Sequence, residues 1–295
     1  MRKLFQTQCP AMACLIFVCL STLFLSCSDR VQGSPSGYDM KNPAKRGLGK
    51  VLNEISGIYF SAEDKTLLAI ADSKRKIYQL DLRHEKLKDV AEKFYTQSDF
   101  EDLVKLDTTV YVLVSDGTIL AVPMHVKDST RTVVYPFIQN KKNDFESLYY
   151  DPSLKSLVIL CKDCEDDEGK RQRSAYRFDL STNKFDSSAL YTISTEAVKA
   201  AVKNDDADFK PSAAAIHPIT KELYILASAG QLLVITDTKG QVQHAYGLNP
   251  DTHPQAEGIT FAPNGTMYIS NEGKYGKPTL QVFPYKGKSA AGKTK

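Results

Sequence analysis

Ile55-Ser56-Gly57-Ile58-Tyr59-Phe60 and Phe145-Glu146-Ser147-Leu148-Tyr149-Tyr150 are one short strand written twice. Three further segments share their register: Phe100-Glu101-Asp102-Leu103, Pro211-Ser212-Ala213-Ala214-Ala215-Ile216 and Ala256-Glu257-Gly258-Ile259-Thr260-Phe261. Counted from residues 56, 101, 146, 212 and 257, the steps are 45, 45, 66 and 45 residues. A short-strand repeat of roughly 40 to 50 residues marks propeller blades, each a four-stranded sheet that cannot bury both faces alone. The predicted fold is all-β, a five-bladed β-propeller.

The rest of each repeat agrees. Second strands rich in β-branched and aromatic residues are predicted at Thr66 to Ala71, Val110 to Ser115, Leu157 to Lys162, Leu223 to Ser228 and Thr266 to Asn271. Third strands follow at Lys76 to Leu82, Thr118 to Val122, Ser174 to Leu180, Leu232 to Asp237 and Thr279 to Phe283. Asp116-Gly117, Asp151-Pro152, Lys239-Gly240 and Asn264-Gly265 mark hairpin turns. Outer strands fit near Lys86 to Phe94, Thr130 to Phe137, Ser187 to Ile193 and Gln241 to Leu248. The last blade has no fourth strand of its own, and Gly47 to Asn53 is predicted to supply it, removing an open edge. The long third interval predicts an enlarged loop, Cys164 to Arg173, and a helix near Thr195 to Lys203 capped by Ser194.

The predicted domain plan is a signal peptide over 1–27, a flexible tether over 28–46, the propeller over 47–286 and a basic disordered tail over 287–295. Arg2 and Lys3, an apolar stretch and Leu23-Phe24-Leu25-Ser26-Cys27 resemble a bacterial lipoprotein signal with the lipid on Cys27, Phe24 departing from the usual leucine. An uncleaved membrane anchor is the other reading of that apolar run. The lipoprotein reading predicts a cell-envelope protein anchored by lipid on Cys27, and Ser28 points to the outer membrane. Removing Arg2 and Lys3 from the 38 basic residues leaves 36 against 35 acids, a balance that gives no reason to expect nucleic acid as partner. Outside the leader only Cys161 and Cys164 remain. In an oxidising envelope they can close a small disulfide; free thiols or a redox pair are the alternatives, and a zinc site would need a second pair.

Function is to be read at the shared axis. The first strand of each blade lines the central channel and the second runs back beside it, so the start of one and the end of the other share a face. The starts carry Ser56, Glu101, Glu146, Ser212 and Glu257; the ends carry Asp72, Asp116, Asp163, Ala229 and Glu272. At about 6 Å and an effective dielectric near 20, each like-charge pair costs roughly 2 to 3 kcal/mol. A hard divalent cation resolves that repulsion, and an all-oxygen shell suits calcium, Ca2+. Glu101, Glu146 and Glu257 are the predicted metal ligands, with Glu54, Asp72, Asp116, Asp163 and Glu272 as further candidates. A water-filled acidic channel without metal, or glutamates accepting backbone N–H bonds, is the bland alternative.

With these residues placed, the chain resembles the SdiA-regulated (YjiK-like) family over about Leu52 to Phe283. The resemblance rests on Phe100-Glu101, Phe145-Glu146-Ser147-Leu148, Pro254-Gln255-Ala256-Glu257-Gly258-Ile259 and Tyr268-Ile269-Ser270-Asn271-Glu272. It implies a five-bladed propeller with calcium at a shared site. The chain departs from the family in Ala227-Ser228-Ala229-Gly230 of the fourth blade. Two functions follow: a module binding a small molecule or a protein at the rim, with calcium stiffening the channel mouth, or a calcium-dependent hydrolase of lactones, esters or phosphoesters. No catalytic residue is assigned. His84, His125, His217, His244 and His253 are the histidines available as a base, His253 lying just before an axis strand, and Lys74-Arg75 with Lys162 give thin support for a phosphate site. A purely structural calcium is the third option.

Overall fold

Each anchor segment opens the innermost strand of an antiparallel sheet, and five such sheets form a five-bladed β-propeller. The computed structural model describes residues 33–84, 86–91, 99–124, 131–137, 141–274 and 276–287. The leader with Cys27, residues 28–32 of the tether, His125 and residues 288–295 of the tail lie outside the described residues. Among the described residues no helix is long and apolar enough to cross a membrane.

Blade one comprises Ile55–Ser61, Thr66–Ala71, Ile77–Asp81 and Leu87–Ala91; blade two comprises Phe100–Leu106, Thr109–Val114, Ile119–Pro123 and Val133–Tyr135. Blade three runs Asn143–Asp151, Ser156–Cys164 and Gln172–Asp179, with its outer edge split between Lys184–Phe185 and Tyr191–Ser194. Blade four is Ala213–Ile216, Leu223–Ala227, Leu232–Thr236 and Val242–Gly247. Blade five is Ala256–Phe261, Met267–Asn271 and Thr279–Phe283, closed by Ala44–Gly47. The strand sequences are apolar on both faces because each sheet is covered by a neighbour on either side. Leu68, Ile70, Leu103 and Val112 seal blades one and two. Leu113, Phe145 and Ile159 seal two and three, and Tyr149, Leu160, Leu223 and Ile225 seal three and four. Tyr224, Leu226, Ile259 and Ile269 seal four and five, and Ile55, Leu67, Tyr268 and Leu280 close the ring.

The extra length before blade four becomes the helix Thr195–Val202. Its first turn is capped by the Ser194 hydroxyl, which accepts from the Ala197 N–H at 3.2 Å. Val198 and Val202, four residues apart on one face, are fully buried against blades three and four. Each such burial is worth about 1.5 kcal/mol or more, which holds an eight-residue helix that would not persist alone.

The N-terminal segment corrects two expectations. The strand that completes blade five is Ala44–Gly47, paired from Ala44 opposite Val282 to Gly47 opposite Thr279, rather than Gly47 to Asn53. Lys50–Leu52 instead form a 3-10 turn that drops Leu52 into the core. The strand escapes sequence reading because all four of its residues are exposed, so it carries no alternation. Residues from 33 onward also belong to the propeller rather than to a tether. Tyr38 and Met40 are buried in the blade four to five interface. The Tyr38 hydroxyl donates to the Gly265 carbonyl at 2.5 Å and stands 2.7 Å from His217 Nε2. His217 Nδ1 accepts from the N–H groups of Ile219 and Thr220, so Nε2 carries the proton and donates to Tyr38.

At the axis the first strands approach so closely that side chains must be omitted. A Cβ on Gly57 would stand 2.7 Å from Asp102 Cα, and one on Gly258 would stand 3.0 Å from the Ser56 carbonyl.

Candidate functional site

The three glutamates reach the axis through breaks in the β-ladders. In blade two Phe100 pairs with Val114 and Asp102 with Leu113, leaving Glu101 between them without a partner. Blade five skips Glu257 in the same way, between Ala256 and Gly258, and blade three skips Glu146, between Phe145 and Ser147. Blade one has its break between Ile55 and Ile58, at Ser56 and Gly57. An unpaired residue bends the strand and re-aims its side chain, so the repeated break places one residue per blade at the channel mouth. In the fourth blade Ser212 stands at this level with its hydroxyl bonded to the backbone, donating to the Ala256 carbonyl and accepting from the Ser228 N–H.

Glu54, Asp72, Glu101, Glu146, Glu257 and Glu272 all line one cavity of about 740 Å³. Burial is the main cause that raises the proton affinity of Asp72, Glu101, Glu146, Glu257 and Glu272. Glu101 is pushed up to about 9 by burial, with Glu146, Asp72 and Asp144 adding to it. Burial takes Glu146 to about 7 although Lys162 opposes the shift. Glu257 also rises to about 7 by burial, with Glu272 adding and the Gln255 amide, 3.0 Å away, opposing. Asp72 rises to about 6 through burial, then Asp99 and Glu54, and Glu272 is raised by burial and Asp72. The cavity thus resists carrying the charge that its residues would hold in water.

The second-strand candidates divide. Asp72 and Glu272 line the cavity, but Asp116 and Asp163 do not. The residue one place after the partner of the anchor's neighbour is Asp72 after Ala71, Ser115 after Val114, Lys162 after Cys161 and Glu272 after Asn271, and of these Asp72, Lys162 and Glu272 line the cavity. Asp116 and Asp163 are one residue further on, and strand alternation turns them away. Asp116 accepts from the Thr118 N–H in its own turn. Asp163, its side chain 66% exposed, pairs with Lys210 at 3.4 Å.

Lys162 is a cavity residue that the acid pattern missed. Its ammonium donates to Glu146 Oε1 and lies 3.6 Å from Asp144. Burial works against that charge, yet the hydrogen bond and attraction of Glu146, with Asp144 and Glu101, hold its pKa above the usual lysine value. Cys161 and Cys164, flanking it, are joined in a disulfide with both residues buried. The histidines lie elsewhere. His84 is exposed against Asp81, His244 sits beside Tyr246 on the outer strand of blade four, and His217 packs among Tyr38, Tyr224 and Tyr285. His253, expected near the rim, is buried and stacks on Phe283.

As they stand, no three His, Cys, Asp or Glu side chains among the described residues are gathered closely enough to hold a metal ion. In kind the donors fit a hard cation: carboxylates whose ionisation is opposed, with Asp72 Oδ1 buried and lacking a hydrogen-bond partner. Glu146 would have to exchange its ammonium for the ion.

Among solved structures, luciferin-regenerating enzyme superposes over 84% of this chain and 98% of its own at a TM-score of 0.53 and 13% identity. Regucalcin from Agrobacterium tumefaciens, described as a calcium-binding protein, covers 86% of this chain and 96% of its own at 0.49 and 13%. At these identities the likeness concerns the fold. No protein of curated function matches the chain by sequence. The SdiA-regulated family matches residues 33–275, from the buried N-terminal segment through the second strand of blade five, and the chain belongs to that family.

Proposed function

We propose that this is a cell-envelope protein, lipid-anchored through Cys27 at the outer membrane, whose propeller holds calcium in the acidic cavity and binds a small molecule or protein segment against it. The observation that carries the reading is the convergence of Glu101, Glu146 and Glu257 from three blades on one cavity that also holds Asp72 and Glu272. Each ionises at a cost, and a divalent cation removes that cost. Glu101, Glu146 and Glu257 would hold the ion, with Asp72, Glu272 and Glu54 within the same walls. The bound ion supplies positive charge and open coordination positions to a ligand oxygen. At about 740 Å³ the cavity exceeds what an ion needs and leaves room for an organic guest.

The same room serves the second reading, a calcium-dependent hydrolase, and the luciferin-regenerating enzyme shows that such a propeller can carry an enzyme. The binding reading is preferred because it asks only for the ion and the walls, while the described histidines are placed away from the cavity. Calorimetric titration of chelator-stripped protein tests the ion: calcium binds and raises the melting temperature in the native chain, and Glu257→Gln abolishes both. Absence of calcium binding refutes the reading. Calcium-dependent turnover of lactone, arylester or phosphoester panels, lost in Glu257→Gln, moves the assignment to the hydrolase. Membrane fractionation of Cys27→Ser tests the anchor, the expected outcome being release from the outer-membrane fraction.

A further inference from the structure

We propose that Lys162 is a built-in counter-ion of the acidic cavity, occupying it when no divalent ion is present and setting how tightly such an ion is held. The proposal rests on the cation-binding reading above and concerns what the ion must displace. At the equivalent register position at the end of the second strand, blades one, two and five carry Asp72, Ser115 and Glu272. Blade three alone of these four places a cation there. Two adjacent register shifts act here: the one between Phe145 and Ser147 leaves Glu146 unpaired in its strand, and the one between Asp144 and Phe145 leaves Lys162 unpaired in the opposite strand, between Cys161, which faces Phe145, and Asp163, which faces Asp144. The two side chains are therefore turned out of the same sheet at the same level, where they meet.

The backbone under Lys162 is held on both sides. Cys161 and Cys164 form a buried disulfide around it, with their Cα atoms 5.9 Å apart, and Asp163, next along the strand, pairs with Lys210, which also lines the cavity. The anchorage fixes where the stem begins, while the four-carbon chain leaves the ammonium free to swing. Its side chain is 30% exposed against 17% for Glu146, so the ammonium has a path to solvent that the carboxylate lacks. The charge of Lys162 also reaches Asp72, Glu101 and Glu257, opposing the rise in their proton affinity. Lys210 and Lys274 also line the cavity, and Lys162 is hydrogen-bonded to Glu146 within it. A divalent ion that recruits Glu146 breaks the pair and leaves the ammonium to move outward.

Three measurements test this. In calorimetry, Lys162→Met binds calcium at least tenfold more tightly than the native chain, and Lys162→Arg stays near the native affinity. In chelator, Lys162→Met melts below the native protein because its acids have lost their counter-ion. In the native protein, which needs no substitution to fold, acylation of Lys162 followed by peptide mass mapping increases several-fold when calcium is added. Equal calcium affinity of the native chain and Lys162→Met overturns the proposal and leaves the cation-binding reading standing. Acylation that falls or stays level on calcium addition overturns it as well. Failure of both proteins to bind calcium overturns the reading itself, and this proposal with it.

Discussion

Glu101→Gln should stabilise the calcium-free protein, and the gain should grow with pH. Burial and the neighbouring acids move Glu101 from 4.5 to about 9. Between those values the folded chain keeps a proton that the unfolded chain releases, so the sign is that of a raised acid. The favourable contribution is whole below pH 4.5 and is lost as pH rises towards 9. At pH 7.5, three pH units above the unfolded value, the cost is about 4 kcal/mol at 1.36 kcal/mol per unit. Water in an open cavity screens part of this, leaving about 2 kcal/mol. Glutamine keeps the shape and removes the titration. Urea unfolding in chelator should therefore show the variant about 2 kcal/mol more stable than the native chain at pH 7.5, and equal to it near pH 4.5. In a chain of this size that gain raises the melting temperature by roughly 4 to 8 °C. With saturating calcium the order should reverse, because the variant has lost a ligand. A variant no more stable at pH 7.5 than at pH 4.5, relative to the native chain, would refute the reasoning: Glu101 would then be solvated rather than confined.

Two further outcomes test the frame around the cavity. Asp102 is buried, and its carboxylate accepts from the N–H of Leu103 and, across to blade three, from the N–H of Leu148, at 2.8 and 2.9 Å. Asp102→Ala strands both donors and should cost about 2 to 4 kcal/mol in urea unfolding. Burial holds the Asp102 pKa well above its usual value, so Asp102→Asn should cost less, and equal losses would refute the account. Burial, then Lys221, lowers the His217 pKa to about 4, so its contribution is whole above pH 6.5 and is lost as pH falls through 4. Hydrogen exchange at the Tyr38 amide, which donates to the Pro35 carbonyl, should lose protection between pH 6.5 and 4 as the Tyr38 latch opens. Unchanged protection after correction for intrinsic rates would count against it.

The blade count and most strands were legible because the anchor repeat, the turn residues and the apolar second strands all report local conformation. The helix was legible from Ser194 and the surplus length before blade four. The site was legible only as far as period-two alternation holds. Glu101, Glu146 and Glu257 were found because their anchors align. Asp116 and Asp163 are acids at their strand ends, but the register puts Ser115 and Lys162, one residue earlier, in the place that Asp72 and Glu272 hold. Lys162 is passed over by a search for acids. Ala44–Gly47 and the burial of Tyr38 and Met40 depend on partners more than two hundred residues away, Val282 and Gly265 among them, which local pattern does not encode.

The ladder breaks also bear on why the cavity exists. A sheet loses pairing at each bulge, and confining acids together costs several kcal/mol more, so stability alone favours neither. Yet blades two, three and five break at the same step and put a glutamate there, and blade one breaks at the same level with Ser56 and Gly57. Repetition of a costly feature at one level of a pseudo-symmetric ring, where the outer-strand shifts at Ile77/Tyr78 and Ile235/Thr236 do not recur from blade to blade, points to the channel mouth. Lys162 fits that logic: an ammonium among carboxylates keeps the empty cavity foldable, while its pairing with Glu146 remains exchangeable for a stronger cation.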